Sequence, residues 1–168
     1  MNAKARYMAH AAIIAALYTV LTHLQNIIAP GSASWAIQMR LSEALCVLAF
    51  FTPAAIPGLT LGCMVFNFTS GAALPPDWII GSAATFLAAQ CMYRLRQVKL
   101  LGLPVLGLCM PALFNAILVG LELTYYFGGG FLFNAGCVAA GELIVLLTAG
   151  SLLYRAMKRR KLDIRLFR

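Results

Sequence analysis

Residues 8–28 read Met8-Ala-His-Ala-Ala-Ile-Ile-Ala-Ala-Leu-Tyr-Thr-Val-Leu-Thr-His-Leu-Gln-Asn-Ile-Ile28, a run without one Lys, Arg, Asp or Glu, closed by Pro30-Gly31. Crossing the hydrocarbon of a bilayer takes about 20 helical residues, and this run supplies them. It outlasts the roughly 7 to 15 apolar residues of a signal peptide, so it reads as an uncleaved first transmembrane helix. The same texture continues outward as far as Tyr154. Of the 168 residues, 62% are hydrophobic and 11% charged, with a mean hydropathy of +0.85, whereas soluble domains carry roughly a quarter charged residues. No segment shows the strict in-out alternation of a membrane barrel. The expected fold is all-α, a single polytopic membrane domain over 1–168 with six transmembrane helices near 8–28, 35–52, 55–68, 77–93, 100–126 and 131–157. Polar residues 31–34, Pro53 with Pro57, residues 69–76 and Gly128-Gly129-Gly130 supply breaks between helices.

Charge placement orients that bundle. With an even number of helices, both termini and the 94–99 loop share one side, and that side then holds every one of the 13 Lys and Arg residues except Arg40. By the positive-inside rule it is cytoplasmic, which places the chain in the plasma membrane with N- and C-termini inside. The net charge of +8 is therefore juxtamembrane and faces lipid, not nucleic acid. Cys46, Cys63, Cys91, Cys109 and Cys137 stand singly in apolar segments without metal-ligand spacing and read as packing residues. No Walker, HExxH or GxSxG motif is present, so neither a P-loop ATPase nor an enzyme is expected, and no metal or cofactor.

Ionisable groups in hydrocarbon cost at least about 2.5 to 3.5 kcal/mol each near a helix centre and call for a partner or a purpose. Glu43, Asn67, Asp77, Asn115, Glu122, Asn134 and Glu142 come from five predicted helices. At a rise of about 1.5 Å per residue they all map to the outer half or the middle of the bilayer. That convergence predicts a polar pocket open to the outside. Arg40 and Glu43, at i and i+3, can pair with each other or contact a ligand. Trp35 and Trp78 can belong to an aromatic belt or wall the pocket, and Tyr126 reads as belt. On helix 1, Ala11, Ala12, Ala15 and Ala16 form small-xxx-small pairs, available for packing or for docking a second membrane subunit. Gly58 and Gly62 read as internal packing.

The segment Gln38-Met39-Arg40-Leu41-Ser42-Glu43-Ala44-Leu45, then Phe50-Phe51-Thr52-Pro53-Ala54-Ala55-Ile56-Pro57-Gly58 and Gly62-Cys63, resembles the QueT family, substrate-binding S-components of energy-coupling factor (ECF) transporters. Asn67, residues 77–85, residues 115–122 and Gly141-Glu142 extend the likeness over nearly the whole chain. The resemblance implies an S-component-like bundle that captures a 7-deazaguanine queuosine precursor (preQ0, preQ1 or queuine). A membrane coupling subunit (EcfT-type) and two ATPase subunits would drive uptake, with ATP hydrolysed by those partners. It implies substrate contacts from Gln38, Arg40, Glu43, Asn67, Asp77, Trp78, Asn115, Glu122 and Glu142, and coupling-subunit docking at Ala11, Ala12, Ala15 and Ala16. A carboxylate can accept both the ring N–H and the exocyclic amine of a guanine-like base, and a second would suit the aminomethyl cation of preQ1. An autonomous proton-coupled carrier, or an S-component for another vitamin, are the competing expectations.

Overall fold

A computed structural model describes residues 2–32, 37–71, 74, 76–100 and 102–167. Trp35, and residues 33 and 34 of the 31–34 loop, lie outside them. Among the described residues the chain is helical: α1 Ala3–Ile28, a 3-10 helix Leu41–Phe50, α2 Ala55–Thr69, α3 Asp77–Arg94, α4 Val105–Leu108, α5 Met110–Phe127, α6 Phe131–Val145, α7 Ser151–Arg159 and α8 Leu162–Phe167. Asn2 caps α1 by accepting from the Lys4 amide. Among the described residues, three helical stretches are long and apolar enough to cross a membrane: Ala3–Ile28, Val105–Phe127 and Phe131–Arg159. In the last, a π turn at Leu146–Gly150 joins α6 to α7.

The helices pack in chain order around a central element. Contacts run from α1 to α2, α2 to α3, α3 to α5 and α5 to α6, while the 3-10 helix touches α1, α2, α3, α6 and α7 and fills the centre. Eight of its ten residues are buried, which explains why Leu41–Phe50 carries no polar face.

This central element corrects the expected helix over 35–52. Residues 38–40 carry no helical turn, and Arg40 has extended dihedrals (φ −79°, ψ 108°). A 3-10 helix rises about 2.0 Å per residue against 1.5 Å for an α-helix, and extended chain about 3.3 Å, so few residues reach far. Irregular backbone at membrane depth survives only where protein satisfies its polar groups. Gln25 on α1 does this: its Nε2 donates to the Met39 carbonyl (2.6 Å) and to Ser32 Oγ (2.9 Å), and its Oε1 accepts from the Leu41 amide (2.7 Å). From the other side Gly141 on α6 presses on the same strand. A Cβ added there would meet the Gln38 carbonyl oxygen at 2.5 Å and its carbon at 2.9 Å. Because those atoms are backbone and cannot swing away, Gly141→Ala is expected to cost about 1 to 3 kcal/mol, read as a lowered melting temperature of the detergent-purified protein.

Two further corrections concern helix ends. The helix expected over 100–126 begins with a tight turn, in which Leu100 and Leu103 exchange backbone hydrogen bonds, and breaks again between α4 and α5. Gly102, at φ +79°, makes the turn affordable. Beyond 157, α8 folds back so that Phe167 meets His10 edge-on at 5.3 Å. Lys158 donates to Asp163 at 2.8 Å, and that hydrogen bond holds the Asp163 carboxyl below its ordinary range.

The helix 1 alanines do not form one face. Gly58 lies against the Ala11 carbonyl and Ile14, and Gly62 against Ala15 and the Tyr18 Cβ, each so closely that an added Cβ would come within 3 Å. Ala11 and Ala15 are therefore the counterface of the Gly58/Gly62 pair, as small-residue packing in membranes favours. Ala12 and Ala16 point outward and are exposed.

Candidate functional site

The apolar core, built around Val47, Phe50, Leu59, Met92, Leu108 and Tyr154, occupies the end of the bundle that carries the basic residues. The buried polar groups collect toward the other end, where α2 finishes, α3 starts, α5 finishes and α6 starts. Gln38, Arg40, Glu43, Asn67, Asp77, Asn115, Glu122 and Glu142 are all at most 5% exposed.

Arg40 is the cation of the group. Its Nη2 stands 3.8 Å from Asp77 Oδ2 and its guanidinium lies over the Phe66 ring at 5.7 Å. The i, i+3 face expected for Arg40 and Glu43 does not form, because Arg40 precedes the helix in extended conformation. Glu43 instead turns toward α1. One oxygen accepts a short hydrogen bond from the Tyr18 hydroxyl and the other lies 3.0 Å from the Cys46 thiol, a donor. Asn67 donates to the Asp77 carbonyl at 2.9 Å. Gly81 makes room for this pair, since a Cβ there would sit 2.9 Å from Asn67 Nδ2 and 3.2 Å from Asp77 Oδ1. Asn115 donates to Glu142 Oε1 at 2.6 Å across the α5/α6 interface.

These bonds leave a remainder made mostly of acceptors, with Arg40 Nη2, 3.8 Å from Asp77 Oδ2, as the donor beside them. Asn67 Oδ1, Asp77 Oδ1, both oxygens of Glu122 and Glu142 Oε2 are buried without a hydrogen-bond partner among the described residues. Every one is an acceptor. Gln38, Asp77 and Glu122, with Leu74, Val119, Leu123 and Phe127, enclose a cavity of about 40 Å³. The polar groups thus border only a small space here, while Glu122 also borders a mainly apolar space of about 450 Å³ with Pro76, Ile80, Leu118, Leu121, Tyr125 and Tyr126.

Trp78 is a second correction. Asp77 faces inward, so the next residue, about 100° further round the helix, faces out; Trp78 is 41% exposed and packs edge-on against Phe68. Asn134 also serves the fold, donating to Thr124 Oγ1 (2.9 Å) and to the Gly128 carbonyl (3.1 Å), which pins the turn before α6. Tyr125, 84% exposed, and Tyr126, 46% exposed, lie at the surface.

Residues 8–159 match the QueT transporter family. The chain belongs to the QueT transporter family. It is thus a multi-pass membrane protein of a transporter family, consistent with its long apolar helices. Among curated relatives, the queuosine precursor transporter QueT of Lactococcus lactis subsp. cremoris (strain MG1363) is 40% identical over 76 residues, covering 45% of this chain and 43% of that protein. The chain thus spans less than half of that relative's length in the match. No solved structure matches it.

In this QueT-family chain three residues join the site that sequence reasoning passed over: Tyr18, Thr22 and Gln25. Thr22 bonds Ser42 at 2.7 Å, so all three tie α1 to the central segment. Their spacing of four and three residues is one helical stripe, continuous with the buried Ala11 and Ile14. The signal was available, as the only polar line on an apolar helix that falls on its buried face.

Proposed function

We propose that this chain is the substrate-binding S-component of an ECF-type importer, crossing the membrane six times with both termini in the cytoplasm. It captures a cationic 7-deazaguanine queuosine precursor from outside, for uptake driven by a membrane coupling subunit and two ATPase subunits. The observation that carries the reading is the imbalance of the buried site, in which four carboxylates, Glu43, Asp77, Glu122 and Glu142, face the single guanidinium of Arg40. Buried charge without a partner is costly, and five orphan acceptors call for a ligand that brings donors and positive charge. A 7-deazaguanine bearing an aminomethyl group does both: its N1–H and exocyclic amine offer paired donors, and its ammonium offers a cation. Glu122 is assigned to the cation, Asp77 and Asn67 to the edge of the base, and Glu142, held by Asn115, to the far side. Gln38 lines the entry and Glu43 is the buried floor. Arg40 keeps Asp77 ionised and oriented. Ala12 and Ala16 are the docking contacts for the coupling subunit, Ala11 and Ala15 being used within the fold.

A thermal-shift screen tests the substrate. Because a ligand that binds only the native state stabilises it, preQ1 is expected to raise the melting temperature of the detergent-purified protein by several degrees at saturation, and preQ0, whose nitrile carries no charge, by much less. Equal shifts from preQ0 and preQ1 would remove the cation from the reading, and a shift only with an unrelated vitamin would remove the 7-deazaguanine. Uptake into liposomes by this chain alone, driven by a proton gradient, would replace the ECF mechanism with an autonomous carrier.

A further inference from the structure

At the end of the bundle opposite the buried carboxylates, two cavities of about 310 and 300 Å³ adjoin each other and share Lys99, Tyr154 and Lys158. The first, bounded by Phe50, Phe51 and Arg96, also contains the Asp163 carboxylate, and its cations are partly engaged. Arg96 lies over the Tyr93 ring at 4.0 Å and donates to the Tyr93 carbonyl, and Lys158 is paired with Asp163. The second has no acid in its wall. Lys99, Arg155, Lys158 and Arg159 line it together with Gly102 and Leu103. Lys99, Arg155 and Arg159 have no carboxylate partner among the described residues.

Tyr154 sits at the junction. It is 4% exposed, stacked on Phe51 at 5.3 Å and edge-on to Phe50 at 5.8 Å. Its hydroxyl makes no hydrogen bond among the described residues and is open to the two cavities that Tyr154 lines. A rigid, aromatic-held donor beside Lys99, Arg155 and Arg159 is the chemistry of a phosphate seat. The flanks are apolar. Val98, Leu100, Leu106 and Leu152 are 52%, 65%, 52% and 68% exposed, and Leu152 shares a helical face with Arg155, three residues on.

We propose that this second cavity binds the phosphate of an anionic phospholipid, with Lys99 on one side, Arg155 and Arg159 on the other and the Tyr154 hydroxyl donating from below, while the acyl chains run along Leu100, Leu106 and Leu152. The apolar flanks favour a lipid over free phosphate, which would need only the cations. Unlike a diffuse basic end attracted to a negative surface, this site depends on particular cations and one hydroxyl.

The test is a melting-temperature titration of the full chain in a neutral detergent, with phosphatidylglycerol, phosphatidylcholine or inorganic phosphate added. Phosphatidylglycerol is expected to stabilise at micromolar levels, and the other two are not. Arg155→Gln with Arg159→Gln is expected to weaken the phosphatidylglycerol response about tenfold or more, and Tyr154→Phe, which keeps the ring stack, about fivefold. Arg160→Gln with Arg165→Gln, an equal loss of charge outside both cavities, is expected to change it less than about twofold. The proposal is overturned if the two charge pairs prove equivalent, if phosphatidylcholine matches phosphatidylglycerol, or if millimolar phosphate alone gives the full shift.

Discussion

Arg40→Met is expected to lower stability by about 3 to 5 kcal/mol, the range for stripping one partner from a buried ion pair. The loss is larger than one contact at 3.8 Å would suggest, because Arg40 is the counter-charge for the whole cluster. Without it, Asp77, Glu43, Glu122 and Glu142 remain buried together with no cation among them. In a chain of this size 1 kcal/mol is about 2 to 4 °C of melting temperature, so the change is readily measured on purified protein. If the variant does not accumulate, Arg40→Lys supplies an intermediate. Lysine keeps the charge but gives up the planar stack on Phe66. A double variant that adds Asp77→Asn is expected to recover about 1 to 2 kcal/mol relative to the sum of the single changes, since it removes the carboxylate most directly exposed by the loss. Strict additivity would mean that the two side chains are neighbours without being partners.

Glu122→Gln is expected to act in opposite directions on stability and on binding. Neither of its carboxylate oxygens has a hydrogen-bond partner among the described residues, and the residue is 5% exposed. Replacing an uncompensated buried carboxylate by a neutral amide should raise the melting temperature of the ligand-free protein, by an amount equivalent to about 1 kcal/mol. The same change removes the group assigned to the ligand's ammonium. A hydrogen bond to a charged partner is worth about 1.5 to 3 kcal/mol, which corresponds to roughly a 10- to 100-fold loss of affinity for preQ1. Binding of preQ0 should change little. A fall in stability together with unchanged affinity would make Glu122 a structural residue and move the cation site to Glu142. The trade between stability and function is the signature of a binding group held ready before its ligand arrives.

Much of this arrangement was legible in the sequence because hydrocarbon makes ionisable residues conspicuous. Asp77, Glu122 and Glu142 could be placed at a common depth by counting residues, and the structure brings them to one end of the bundle. What could not be read was partner choice. Arg40 next to Glu43 looked like a pair because helical spacing was assumed, and the assumption failed where Gln25 and Gly141 impose an extended strand. Nothing within residues 38–41 announces that strand; its causes lie on helices distant in sequence. Trp78 was misplaced for a related reason, since an aromatic at a helix start suits a pocket or a belt equally until the inward direction of Asp77 fixes the phase. The size of the space between these groups was not legible either. Composition names the groups that converge, but the room between them depends on where Leu74 and Phe127 come to rest.

Tyr18 gives the close contact between α1 and α2 a wider meaning. Its Cβ is wedged against Gly62, while its hydroxyl holds the Glu43 carboxylate. One rigid ring therefore spans from the close α1/α2 seam to the floor of the charged cluster. Helix α1 cannot slide or turn without carrying that ring along. Its outer side, at Ala12 and Ala16, and its inner contact with Glu43 are thus opposite ends of one rigid connection.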